Sequence, residues 1–402
     1  MEAAHVVDRV ARTSYGRLVA FLSARTRDVA AAEDALSEAF QAALTTWPES
    51  GVPERPEAWL LSVARRRQID AGRHSAVQQA ASAELQRAAA QAEAGQELPD
   101  ERLGLMLLCA HPAIDVAVRT PLILQTVLGL DAATIASAFL VAPASMGQRL
   151  VRAKRKIREA GIPFVVPERA EWPERLRAVL EAIYAAYGAG WEAAGGRQGL
   201  ATEALWLAHV LVELLPDEEE ALGLLALLLY CEARRPARRS PEGRYVPLSE
   251  QDPALWRRDW IIEAERHLER AARRLRPGRF QLEAAIQSAH STRAVTGKVD
   301  WSAVTMLYEA LAGSTSTVGA QVGWAAAAGE SEGPTAGLAI LATLPAERVA
   351  GYQPYWAVRA HLLRCCGSGA AREAYERAAG LTEDPAVRVY LLQEMMKLHD
   401  DN

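Results

Sequence analysis

One stretch of the sequence, Asp131–Ile157, decides how the N-terminal half of the chain folds: DAATIASAFLVAPASMGQRLVRAKRKI. Two sets of apolar residues recur in it at the spacing of one helix face. They are Ile135, Ala136 and Phe139 in the first part, and Met146, Leu150, Ala153 and Ile157 in the second. Between them, Val141-Ala142-Pro143 indicates a turn, because Pro is favoured at the first position of a helix. We therefore predict two helices joined by a tight turn.

The second of these helices leaves a polar and basic face toward solvent. Its first turns carry Ser145, Gln148 and Arg149, and a run of cations follows with Glu159 as its one acid. A helix-turn-helix offers the first polar residues of its second helix to base edges, and its later cations bind phosphate. The candidates for DNA contact are Ser145, Gln148, Arg149, Arg152, Lys154, Arg155 and Lys156. A buried amphipathic hairpin is the alternative, although a packing helix rarely needs so many cations.

The whole chain has the composition of a globular protein with more than one domain. Its 402 residues are half hydrophobic and 24% charged, and Ala is abundant while β-branched runs are scarce. Because Ala has the lowest helix cost, we predict an all-α fold. The net charge of −5 divides unevenly into +1 for residues 1–165 and −6 for the remainder. A second basic cluster, Arg65, Arg66, Arg67 and Arg73, lies in the first part.

Breaks in the helical pattern predict four segments. We place a helical domain at 1–74, an Ala- and Gln-rich linker at 75–102, the helix-turn-helix domain at 103–162, and a C-terminal helical domain at 172–402. The C-terminal segment shows a weak repeat of the tetratricopeptide kind, in which small and large residues alternate on paired helices. The residues of this repeat are Ala336 and Ile340, then Tyr355, Val358 and Leu362, then Ala371, Tyr375 and Ala378.

The sequence contains none of the common signatures of an enzyme, metal or cofactor site. It has no phosphate-binding glycine loop, no HExxH and no GxSxG. We expect a protein that is not an enzyme and has no cofactor and no metal. With no signal peptide and no apolar stretch of 18 residues, we also expect a cytoplasmic location and no membrane partner.

Taken in order, these segments resemble a known family. The helix-turn-helix with SMGQRLVRAKRKI looks like region 4 of bacterial sigma factors of the extracytoplasmic-function type. Upstream, residues 32–40, AEDALSEAF, resemble the polymerase-binding helix of sigma region 2. Residues 59–70, WLLSVARRRQID, resemble the helix that reads the −10 element. Further stretches, such as Leu214–Glu218 and Glu250–Asp252, are similar to a subgroup with a long C-terminal extension related to tetratricopeptide repeats.

The resemblance implies a role for each set of residues. Asp34 and Glu38 would bind core RNA polymerase, and the helix-turn-helix residues would bind the −35 element of promoter DNA. The residues expected at the −10 element are Trp59, Arg65, Arg66 and Arg73. Trp59 has a second interpretation as a core residue, because Leu60 and Val63 stand beside it. The C-terminal extension would regulate the sigma module in cis, either by docking on it or by recruiting a signalling partner.

Two other classes of function stay open at this point. A transcription regulator could use the same helix-turn-helix on an operator without polymerase, with its C-terminal domain binding a partner. A helical scaffold with incidental basic stripes would show no salt-sensitive DNA binding. Binding to core polymerase distinguishes the sigma factor from both.

Overall fold

The computed structural model describes residues 2–71, 99–139, 141–166, 168, 171–191, 198–274 and 277–398. Within these ranges the regular structure is helical, and no strand is present apart from one isolated bridge between Arg239 and Tyr245. This confirms the all-α prediction. Contacts divide the described chain into two compact units, residues 2–191 with 198–207, and residues 208–398.

The first unit begins with three helices, α1 (Glu2–Thr26), α2 (Val29–Ser50) and α3 (Pro56–Ala71). Asp28 separates α1 from α2, where its side chain accepts a hydrogen bond from the amide of Ala31 and caps the start of α2. The apolar residues that recur at helical spacing are buried here, among them Phe21 and Leu36. Helix α2 packs against both α1 and α3.

Four further helices follow in the first unit: α4 (Arg102–Cys109), α5 (Val116–Leu128), α6 (Ala132–Ala138) and α7 (Pro143–Glu159). Helix α5 packs closely on α1. Gly16 permits this approach, because a Cβ at that position would overlap the backbone carbonyl of Val127. Gly129 ends α5 in the left-handed conformation, with φ of 70°.

Helices α6 and α7 form the predicted pair with a turn between them. Asp131 begins α6 by accepting hydrogen bonds of 2.8 Å from the amides of Ala133 and Thr134, and the bonds from Thr134 lower the pKa of Asp131. The four apolar residues predicted to face inward in α7 are all buried, which confirms the helical periodicity; they are Met146, Leu150, Ala153 and Ile157.

Helix α8 (Trp172–Trp191) belongs to the first unit because it packs on α5. Its residues Leu176, Val179 and Ile183 are buried. The sequence-based boundary at residue 172 therefore differs from the division by contacts, which falls after α8. Helix α9 (Gln198–Leu214) starts in the first unit and ends in the second.

The second unit is a series of helices with one long loop. Its α-helices are α10 (Glu219–Arg234), α11 (Arg258–Ala271), α12 (Arg279–Ser291), α13 (Arg293–Thr296), α14 (Trp301–Ser314), α15 (Val318–Ser331), α16 (Pro334–Ala342), α17 (Ala346–Val349), α18 (Gln353–Cys365), α19 (Ala371–Leu381) and α20 (Pro385–Lys397). Successive helices pack in pairs, such as α14 with α15 and α18 with α19. Of the residues in the proposed repeat, Tyr355, Leu362, Ala371, Tyr375 and Ala378 are buried.

Candidate nucleic-acid interface

The face of α7 opposite its buried stripe presents the predicted DNA-contact residues in different degrees. Gln148 and Arg152 are exposed, and the Arg152 guanidinium donates to the Gln148 carbonyl at 3.3 Å. Ser145 and Arg149 are half-buried. Arg155 and Lys156 are exposed further along the helix. The structure therefore brings six of the seven residues to one accessible polar face at the start and middle of α7.

Lys154 is the exception to that arrangement. Its side chain is only 11% exposed, and its ammonium group lies 2.5 Å from Oε2 of Glu33 and 3.0 Å from Oε1 of Gln125. The sequence predicted a phosphate contact for this residue. In the structure its ammonium group instead pairs with Glu33 inside the first unit. Lys154 flanks the buried stripe of α7, next to Ala153, and α2 packs against that side.

Glu33 has the environment of a buried carboxylate that depends on its partner. It lies on α2 with 8% of its surface exposed, and its Oε1 has no hydrogen-bond partner among the described residues. Burial raises the pKa of Glu33, while the charge and hydrogen bond of Lys154 lower it in part. A second ion pair joins the same two helices at the surface, where Arg158 lies 3.3 Å from Asp28.

The Lys154–Glu33 contact connects the two predicted sigma segments directly. Asp34 and Glu38 lie on α2 beside Glu33, and both are exposed. The helix expected to bind polymerase and the helix expected to read DNA are therefore neighbours in one packed unit. Sequence analysis missed the roles of Glu33 and Gln125. The one signal in the sequence for Glu33 was its position, because a charged residue stands there on the apolar face of the predicted helix.

The basic end of α3 is accessible where the structure describes it. Arg66 is exposed and Arg65 is half-buried, whereas Arg73 lies outside the described residues. Trp59 is half-buried and packs edge-to-face on the buried Trp47, with ring centroids 5.4 Å apart and planes at 65°. This contact favours the interpretation of Trp59 as a packing residue over base stacking.

The described ranges contain no arrangement suited to a metal ion and no candidate membrane helix. No group of three or more His, Cys, Asp or Glu residues there has the proximity to hold a metal. No helix in the same ranges has the length and apolar character needed to cross a bilayer.

Comparison with known proteins relates both units to protein families. Residues 10–76 match the family described as Sigma-70 region 2, which spans α1–α3. Residues 175–272 match a family described as Family of unknown function (DUF6596). No solved structure matches the chain significantly.

A relative covers nearly the entire sequence. "Uncharacterized protein R00370" of Rhizobium meliloti (strain 1021) is 36% identical over 382 residues, which are 92% of this chain and 90% of that protein. Sigma-70 region 2 is a domain that binds core RNA polymerase. The chain thus belongs to one family with the rhizobial protein, and its N-terminal sigma-70 region 2 supports the role of a sigma factor in transcription initiation.

Proposed function

We propose that this protein is a sigma factor of the extracytoplasmic-function type that directs promoter-specific initiation, with its C-terminal helices regulating it in cis. The observation that carries the proposal is the pairing of two features in one chain. Residues 10–76 match sigma-70 region 2, and α7 buries its apolar stripe while Gln148 and Arg152 stay exposed. A helix with this division suits the major groove of DNA.

In this proposal the residues of α7 divide their roles by position. Gln148 and Arg149 lie near the start of the helix, where a side chain reaches base edges, and their groups suit adenine and guanine respectively. Arg152, Arg155 and Lys156 bind phosphates and hold the helix in register. Lys154 is removed from the DNA-contact set, because Glu33 and Gln125 already bind its ammonium group.

The first three helices supply the other contacts. Asp34 and Glu38 are one turn apart on the exposed side of α2, where both carboxylates would face basic residues of core polymerase. At the far end of α3, Arg65 and Arg66 would bind the −10 region, where separated strands expose phosphates and bases. Arg73 keeps its assignment as a prediction from the sequence.

The proposal for the C-terminal segment depends on its charge and its organisation. Residues after 165 carry a net charge of −6, opposite in sign to the basic faces of α3 and α7. The paired helices α14–α15 and α18–α19 are of the kind that builds partner-binding surfaces in helical repeats. These features support regulation in cis, either by docking on the sigma module or by recruiting a signalling partner.

Reconstituted transcription tests the proposal. Core polymerase with the purified full chain should give specific transcripts from a genomic promoter library, and core polymerase alone should not. Arg149→Ala should weaken binding by about 1–3 kcal/mol and relax the preference at one −35 position. Lys156→Ala is the matched control, because loss of a phosphate contact should weaken binding equally on all sequences and lower the salt slope by about one unit.

Three outcomes would contradict parts of this proposal. Specific DNA binding without any association with core polymerase would indicate the rival function, an operator-binding regulator. Absence of both specific transcripts and salt-sensitive DNA binding would leave only a helical scaffold. An equal loss on all sequences for Arg149→Ala would move Arg149 from base readout to phosphate contact.

A further inference from the structure

Three buried side chains in the second unit carry polar atoms with no partner among the described residues. They are Arg234, Gln251 and Trp256, which are 7%, 6% and 5% exposed. The unpartnered atoms are Nη1 of Arg234, Oε1 of Gln251 and Nε1 of Trp256. Because leaving a buried polar group unsatisfied destabilises the folded state, each of these atoms calls for a partner that the described residues do not supply.

The fold brings these three residues to one place. The loop that follows α10 returns to the end of that helix, where the amide of Arg257 donates to the carbonyl of Ala233 at 2.9 Å. This bond brings the backbone at Trp256 to the end of α10, and the charge of Arg234 acts on Arg293. The Arg293 guanidinium lies 5.2 Å from the Trp256 ring and donates to the carbonyls of Ser249, at 2.6 Å, and of Gln251. Arg293 therefore joins the loop to the same cluster.

The positive charge of this cluster is not balanced in the way that neighbouring arginines are. Arg234 donates through Nη2 to the neutral amide oxygen of Gln287. Three nearby arginines pair with carboxylates instead: Arg235 with Glu232, Arg239 with Asp384 and Arg279 with Glu283. A buried cation with only neutral acceptors favours the arrival of an anion.

His290 lies near the same arginines and does not offset their charge. It is 8% exposed, and burial, followed by the charges of Arg234 and Arg293, lowers its pKa to about 4. At neutral pH its ring is uncharged. The acid that acts on Arg293 is Asp252, an exposed residue whose side chain caps the turn at Ala254. Glu283 is already held by Arg279.

We propose that the cluster of Arg234, Gln251 and Trp256 is a binding site for a small oxyanion that also carries a hydroxyl group. The oxyanion accepts hydrogen bonds from Nη1 of Arg234 and Nε1 of Trp256, and the hydroxyl donates to Oε1 of Gln251. A hydroxycarboxylate and a hydrogen phosphate share this chemistry. The inference is independent of the sigma-factor function, since it uses residues of the second unit alone.

Ordered water is the competing explanation for the three atoms. Water can satisfy hydrogen bonds in a polar site, but it brings no charge to Arg234. The two explanations therefore differ in how the protein responds to anions. A bound anion stabilises the folded state by RT ln(1 + [L]/Kd), so the stabilisation rises with the anion concentration and depends on the site residues.

Thermal unfolding of the full chain measures this response. The probes are inorganic phosphate and glycolate, each titrated against chloride at equal ionic strength, with acetate as the probe that lacks the hydroxyl. We expect calorimetric titration to show 1:1 binding, a matching rise in Tm, and at least tenfold weaker binding of acetate than of glycolate. Phosphate and glycolate are titrated separately. The probe that binds more tightly shows whether the site prefers a hydrogen phosphate or a hydroxycarboxylate.

Variants connect the response to the cluster. Arg234→Met should abolish 1:1 binding of both probes, because it removes the charge. Trp256→Phe keeps the ring but removes the N–H, so it should weaken binding about tenfold while the protein without ligand becomes no less stable. Arg244→Met is the matched control, since Arg244 is a 71% exposed side chain paired with Glu242, and it should bind the probes as the parent does.

The result that overturns the proposal is a parent protein without 1:1 binding of either probe, which would mean ordered water only. An equal rise in Tm for parent, Arg234→Met and Arg244→Met would also overturn it, because anions excluded from the protein surface stabilise all variants alike. If Arg234→Met does not fold, Trp256→Phe decides: unchanged binding of glycolate and phosphate in that variant refutes the site.

Discussion

Removing Lys154 should destabilise the first unit far more than removing any other cation of α7. The ammonium group of Lys154 and the carboxylate of Glu33 are 2.5 Å apart, and their side chains are 11% and 10% exposed. Breaking a buried pair by removing one partner costs about 3–5 kcal/mol, since the other charge stays buried and uncompensated. Lys154→Met leaves Oε2 of Glu33 without its partner, and Oε1 already has none among the described residues. We therefore expect a loss of about 3–5 kcal/mol for Lys154→Met.

Matched variants separate the pair from a general effect of charge. Lys156→Met removes an exposed cation two residues away on the same helix and should change stability by about 0.5 kcal/mol or less. Glu33→Leu should cost about as much as Lys154→Met. The double variant should recover most of that loss, because apolar groups of similar volume can replace a buried pair at little cost. Because the double variant is expected to lose less than either single variant, the coupling in the double-mutant cycle should be at least as large as the cost of one single variant, about 3–5 kcal/mol.

The pH dependence of Lys154→Met gives an independent check. Burial raises the pKa of Glu33, and Lys154 opposes that rise, so the substitution should raise the pKa of Glu33 further. A carboxyl group whose pKa is higher in the folded state than in the unfolded state loses stability as pH rises through the folded value. The difference in stability between Lys154→Met and the parent should therefore grow as pH rises, because the ionised form of Glu33 is the one that loses its partner.

Hydrogen–deuterium exchange is the suitable measurement, because the chain contains two compact units and a single unfolding midpoint would mix them. Peptides from α2 and α7 report the free energy of opening of the first unit. Equal exchange in Lys154→Met and Lys156→Met would refute the reasoning, and so would strict additivity of Lys154→Met and Glu33→Leu. A stability difference that grows toward acid pH would refute the pKa argument.

Three further predictions concern packing, polymerase binding and the C-terminal unit. Gly16→Ala should lower the free energy of unfolding by about 1–3 kcal/mol, because the new Cβ meets a backbone carbonyl of α5. Gly147→Ala has open space around it, so it should leave the stability unchanged or raise it. Urea unfolding compares the two variants. Asp34→Lys should abolish binding to core polymerase in a pull-down while exchange protection of α2 is unchanged, and loss of that protection would make the effect structural. A chain ending after Leu214 should retain a folded first unit, whereas one ending after residue 167 should not, since it loses α8. Circular dichroism measures the helix content of both chains. Equal folding of both would show that α8 is dispensable.

The helical periodicity of the first unit could be predicted from the sequence because it depends on neighbours within one or two turns. Met146, Leu150, Ala153 and Ile157 are buried as their spacing indicates, and Pro143 begins the helix that contains them. The polar face of α7 follows from the same spacing. Local interactions determine these features, so a single chain is sufficient to recognise them.

Tertiary packing decided which residues on the predicted polar face of a helix are exposed to solvent. Lys154 and Lys156 have the same chemistry and stand two residues apart, yet among the residues that the structure describes a carboxylate meets Lys154 alone, and it is 121 residues earlier in the chain. Periodicity specifies a helix face but not the element that covers its edge. The spacing of Trp59 likewise allowed either base stacking or core packing, and the contact with the ring of Trp47 favours packing.

The boundaries of the units and the cluster around Arg234 show the same limit. The prolines between residues 163 and 173 end α7 correctly, but they do not say on which side α8 packs, and contacts with α5 place that helix in the first unit. Arg234, Gln251 and Trp256 stand in a stretch whose sequence indicates a helix end and a polar loop. The fold buries all three and leaves one polar atom of each without a partner. Sequence alone determined the helices and the sign of their surfaces, because these depend on residues a few positions apart. Only the tertiary structure decided which charges are paired and which are buried alone, because burial and pairing depend on residues that are distant in the chain.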